Sequence, residues 1–149
     1  MRLLLLLTLL MTPARQPTRS LASLVDTNRV LLVIAPSDAD PRFQQQLALL
    51  RGHAAEMKDR DLVLVANLVH AGPPVDADTL RTLPAPYLVD SDGLATRRRF
   101  PVEGGGFAVL LLGKDGDEKL RSATPIPMAR LNQTIDAMPM RQEEMKHPR

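Results

Sequence analysis

Apolar residues along this chain fall into patterns of two kinds that alternate. Val30 to Ala35 is apolar at every position and rich in β-branched residues. Such a short unbroken run predicts a central strand covered on both faces. Leu62 to Leu68 predicts a second strand of the same kind. Between them, Asp40-Pro41 announces a helix, the carboxylate capping it and the proline fitting its first turn. Phe43, Leu47, Leu50, Ala54 and Met57 then recur at steps of four and three, one buried stripe on a single helix. Gly52 falls inside that helix, at a cost of about 1 kcal/mol relative to alanine. Strand, helix and strand make a right-handed crossover between parallel strands.

The flanking segments extend this frame. Ser20 to Val25 reads as a short helical lead-in capped by Ser20. The stretch from His70 to Gly93 is rich in proline and small polar residues, and predicts a long connection with one helical turn near Leu80. Leu94 to Phe100 predicts a short helix that starts at Ser91 or Asp92 and is stopped by Pro101. Phe107 to Leu112, the glycine turn KDGD and Glu118 to Ser122 form an antiparallel hairpin. After Pro127, a last helix buries Met128, Leu131, Ile135 and Met138 and ends at Pro139. The tail MRQEEMKHPR either frays or forms one more turn. This order predicts an α/β, thioredoxin-like three-layer fold: a central mixed sheet of about four strands with helices on both faces.

The first residues change the expected compartment. MRLLLLLTLLMTPA has a basic Arg2, an apolar run from Leu3 to Met11 and small residues before Ala14, the layout of an export signal over residues 1–14. The apolar run is shorter than the roughly 20 residues a membrane span requires. The expected location is therefore periplasmic or secreted, with no stable span once the signal is cleaved. Charge adds little: the net charge is +2, and the arginine triplet Arg97 to Arg99 lacks the stacking aromatics of a nucleic-acid site. No nucleic-acid partner is expected.

Composition removes whole classes of chemistry. The 149 residues include no cysteine, which excludes thiol redox, thiolate ligation and cysteine nucleophiles within the chain. His53, His70 and His147 lie far apart in sequence, and the acidic stretches DSDG and KDGDE lack calcium-loop spacing. No metal and no cofactor is expected. The glycines of EGGGF precede a strand, not the helix that a phosphate loop requires, and read as a flexible loop.

The stretches NRVLLVIAPSDADPRFQQQLALL, RDLVLV, GFAVLLLGKDGDEKLRS and IDAMPMRQEEMK resemble the domain of unknown function 4174 family over about residues 21–146. The resemblance implies a thioredoxin-like domain, found in exported bacterial proteins and in some animal extracellular-matrix proteins. In thioredoxin-like enzymes the strand-to-helix turn holds the attacking thiol, and a cis proline guards it. Here Ser37, Asp38 and Asp40 form the turn, Arg42 follows, and Gly105 and Gly106 stand at the proline's place.

Two groups of residues are candidates for binding, and none is assigned to catalysis. Ser37, Asp38, Asp40 and Arg42 form the turn, where a capped helix start is the simpler reading. Met140, Arg141, Glu144 and Met145 form an adaptable methionine surface in a polar frame, suited to a protein partner of the cell envelope or extracellular space. The expected function is an exported binding or structural module without thiol chemistry. The alternative is a cysteine-independent hydrolase built on Ser37, Asp38 and Asp40. It requires a distant base, because a serine hydroxyl needs one to become a nucleophile.

Overall fold

The computed structural model describes residues 17–70, 85–103 and 106–148. The expected leader, the helical turn near Leu80, and Gly105 of the glycine run lie outside the described residues. Among the described residues, six strands make one mixed sheet: β1 (Thr18–Arg19), β2 (Arg29–Ser37), β3 (Leu62–His70), β4 (Leu88–Asp90), β5 (Ala108–Leu112) and β6 (Glu118–Ser122), in the order β1-β4-β3-β2-β5-β6. β2, β3, β4 and β1 pair in parallel, while β5 runs antiparallel to both β2 and β6. The expected hairpin and crossover are both present. The sheet exceeds the expected four strands because β1 and β4 add short parallel pairings that no long apolar run announces.

Alternation along β2 divides the core. Leu31, Val33 and Ala35 face α1 (Pro41–Leu49) and α4 (Met128–Asp136), meeting Phe43, Leu47, Leu131 and Ile135. Val30, Leu32 and Ile34 face the opposite layer, where a 3-10 turn (Leu21–Leu24) and Phe100, at the end of α3 (Gly93–Arg99), close the core. The central strands are therefore buried on both sides, as their unbroken apolar runs require. Gln46 is fully buried among these residues, and both ends of its amide bond the backbone of Ile126 (3.0 and 2.7 Å). That pair fixes the segment leading into α4.

The single helix expected from the stripe is two helices. α1 ends at Leu49, and α2 occupies Ala54–Asp59. Gly52 lies between them at φ +79°, a left-handed conformation that ends a helix and that glycine adopts without strain. Pro139 also departs from expectation. It closes nothing, but opens α5 (Pro139–Lys146) at its first position, where a missing amide proton is harmless. Only Ala137 and Met138 separate α4 from α5. The hairpin glycine behaves as read: Gly116 has φ +79° in the turn between β5 and β6.

Candidate functional site

The strand-to-helix turn is organised around Asp40. Asp40 caps α1 by accepting from the Arg42 amide (2.9 Å), and its carboxylate receives the Arg42 side chain at 3.0 and 2.7 Å. The Arg42 hydrogen bonds outweigh burial and hold the Asp40 carboxyl below its ordinary range. The guanidinium also lies over the Phe107 ring, 4.8 Å from its centre, a cation–π contact that fixes the arginine along the helix start. Gln44 donates to the Asp38 carbonyl (2.6 Å), and the Asp40 amide bonds Ser37 O (3.2 Å). Ser37, Asp38, Asp40 and Arg42 thus come together as one closed turn.

Strand register adds a residue that sequence separation hides. Ser37 is paired with His70 across β2 and β3. Strand alternation puts both on the α1 face. No single-sequence signal marks this pairing, because it depends on where two strands align.

The second candidate group divides. Met140 and Met145 lie on α5 at 51% and 45% exposure, and Met138 packs against the core. Arg141 and Glu144 are not a surface frame. They turn inward and complete an ion network at the end of the sheet opposite Ser37. Nine residues of β2 separate the two ends, a span of about 26 Å at strand rise.

Glu144 sits between two buried cations. Arg29, only 1% exposed at the first position of β2, grips it with both terminal nitrogens (3.1 and 3.2 Å), and Lys114 (6% exposed) reaches it at 2.7 Å. Lys114 also binds Asp61 at 2.8 Å, and Arg29 donates to the Arg60 carbonyl at 2.9 Å. Burial alone would raise the Glu144 pKa, but the hydrogen bonds from Arg29 and Lys114 more than reverse it, to about 2. Arg141 makes the second attachment, to the Asp59 carbonyl (2.8 Å), the Asp59 carboxylate and Asp136 (3.3 Å). Arg60 braces Asp136 from the other side at 3.0 and 2.8 Å.

These ions come from segments far apart in sequence. Arg29 belongs to NRVLLV, Arg60 and Asp61 to RDLVLV, Lys114 to GKDGDEK, and Asp136, Arg141 and Glu144 to DAMPMRQEEM. All four stretches carry the family resemblance, and in space they meet at one place. A cavity of about 700 Å³ opens beside the network, lined by Lys58, Asp59, Asp61, Arg141, Glu144 and Met145 among others. A second, of about 240 Å³, reaches Arg29 and Lys114 from the side of Met138 and Met140. Among the described residues, no group of three or more histidine, aspartate or glutamate side chains is placed to hold a metal ion. Nor is any described helix long and apolar enough to cross a membrane.

Solved structures share this architecture at low identity. Reduced 2-Cys peroxiredoxin from Plasmodium vivax superposes with a TM-score of 0.58 at 14% identity, covering 85% of this chain and 72% of that one. Yeast mitochondrial 1-Cys peroxiredoxin gives 0.57 at 13% identity over 92% of this chain and 80% of its own. A putative thiol:disulfide interchange protein DsbE from Chlorobium tepidum gives 0.52 at 21% identity, over 75% and 80%. These likenesses establish a thioredoxin-like fold and nothing further. All three proteins are named for thiol chemistry, and the present chain has no cysteine with which to perform it. Its membership follows from sequence instead: the model of the domain of unknown function DUF4174 matches residues 20–144, and the chain belongs to that family.

Proposed function

We propose that this chain is an exported thioredoxin-like domain that has given up thiol chemistry and acts as a binding or structural module of the cell envelope. The observation that carries the reading is the closed strand-to-helix turn. A thioredoxin-like enzyme keeps a soft, ionisable sulfur there, because only the thiolate attacks. Here the turn holds Ser37 in place of a thiol, and its Asp40 carboxylate is engaged by Arg42 and by the helix amide. The apolar leader supports export. The half-exposed methionines of α5 support contact with a protein partner. The purified protein is expected to turn over neither a hydroperoxide nor a protein disulfide in the presence of dithiothreitol, above the rate without protein. A rate that scales with protein concentration refutes the reading.

One observation favours a second reading, the cysteine-independent hydrolase. The register of Ser37 with His70 brings a hydroxyl and an imidazole to neighbouring strand ends on one face of the sheet, and a serine nucleophile needs such a base brought within hydrogen-bond reach. Release of nitrophenolate from short-chain esters, abolished by both Ser37→Ala and His70→Ala, would establish it. Absence of hydrolysis leaves the binding module alone.

A further inference from the structure

Ala54 and Met57 continue the apolar stripe of α1, yet no side chain of α2 is buried. Both open onto a cavity of about 490 Å³, walled by Leu50, Leu62, Leu64 and Leu88 among others. The cavity exists because β4 leaves β3 early. Their parallel register covers only Val65 with Leu88 and Ala66 with Val89. Three residues further back, the same register would set Ala85, Pro86 and Tyr87 against Leu62, Val63 and Leu64. Pro86 has no amide proton to give to a ladder. The two segments stay unpaired, and all six residues line the cavity.

A largely apolar space of this size falls within the range of small-molecule sites, about 300–1,000 Å³. Its few polar groups decide what enters. Asn28 donates to the Asp61 carbonyl (3.3 Å), and the Asp61 carboxylate is held by Lys114 (2.8 Å). Lys58, exposed in the last turn of α2, differs from both. It lines the cavity, but its ammonium meets no carboxylate and no hydrogen-bond acceptor among the described residues. The mouth therefore joins apolar walls to one unmatched positive charge. Its complement is an apolar chain that ends in a carboxylate, the chain filling the space and the carboxylate neutralising Lys58.

We propose that this cavity binds a free fatty acid. The tail lies between α2, the first residues of β3 and Ala85–Tyr87, and the carboxylate is on Lys58. No described residue of α5 or of the Ser37 turn lines the cavity, so the site is independent of any protein partner at the methionines.

Tyr87 supplies the readout, because it lines the cavity and is the one tyrosine in a chain without tryptophan. Octanoate, decanoate and dodecanoate, each kept below its aggregation concentration, are titrated into the purified full chain while tyrosine emission is followed. Saturable binding is expected to tighten roughly tenfold for every two methylenes until the cavity is full. Lys58→Glu is expected to weaken decanoate about tenfold and to leave uncharged decanol within about twofold of wild type. Decyltrimethylammonium is expected to bind more weakly than decanoate. Binding of that cation as tight as decanoate, or equal binding of decanoate by a folded Lys58→Glu chain, overturns the proposal. So does the absence of saturable binding, which means that the chain itself closes the cavity. Dimerisation that competes with decanoate, read by light scattering, gives the space to a second copy and overturns it too. If Lys58→Glu does not fold, Lys58→Gln is judged by the same criteria, and the head-group comparison on the wild-type chain decides if neither folds. A failed titration removes this site alone, whereas thiol turnover removes the redox-free reading and not the site.

Discussion

Glu144 is the residue at which charge and burial compete most openly. Its side chain is 23% exposed, yet it stays ionised far into acid because Arg29 and Lys114 hold the charged form. Its carboxyl titrates near 2 in the folded protein against an ordinary 4.5. The contribution to stability is therefore fully present above about pH 4.5 and is lost as pH falls from there toward 2. Allowing for partial solvent screening, the loss amounts to roughly 2 kcal/mol. Thermal denaturation of Glu144→Gln should give a Tm below wild type at pH 7, with the two curves converging as pH falls through that window. Parallel curves would mean that the carboxylate is not held by the two cations. At the other end of β2, Asp40→Ala removes a cap and an arginine partner and should cost about 1 kcal/mol in urea denaturation. The two carboxylates differ in legibility. Asp40 was readable because its partner amide lies two positions away. Glu144 was not, because Arg29 is 115 positions distant and no local pattern says which charges meet.

The same distinction holds for elements. Strands buried on both faces announce themselves by unbroken apolar runs, and β2, β3 and β5 lie within a residue or two of their expected limits. The helices α1 and α2 misled because part of their stripe spans the break: Leu47 of α1 and Met57 of α2 reach the same core, whereas Ala54, expected in the stripe, is exposed. The signal for the break was Gly52 itself, which ends α1's segment in the left-handed region at φ +79°. Alanine there would meet no neighbouring atom, so its cost is conformational alone. Gly52→Ala should destabilise the protein by about 1 kcal/mol, and Gly52→Asn by less, since asparagine tolerates the left-handed region. If alanine were neutral or stabilising in urea titrations, the continuous helix would be the better description. Pro139 misled for a related reason. A proline that cannot continue one helix is equally suited to begin the next, and the two-residue link leaves both readings open in sequence.

At the scale of the whole molecule, the sheet keeps its two ends apart. The end that carries the thiol in thioredoxin-like enzymes is here a closed cap around Asp40 and Arg42. The opposite end gathers ions from four distant stretches around Glu144. Between them lies a core of fully buried leucine, valine and isoleucine, including Leu31, Val33, Ile34 and Leu110. A packed apolar core transmits strain only where it has two arrangements to choose between, and the two clusters lie at opposite ends of β2. The effects of Asp40→Ala and Glu144→Gln should therefore add within about 0.5 kcal/mol in a double-mutant cycle measured by urea denaturation at pH 7. A coupling well above that value would mean that the sheet links the cap to the ion network. A change at Glu144 would then be felt at Ser37, and the two ends would have to be treated as one unit. Additivity makes the cap around Asp40 and the network around Glu144 independent parts of the fold.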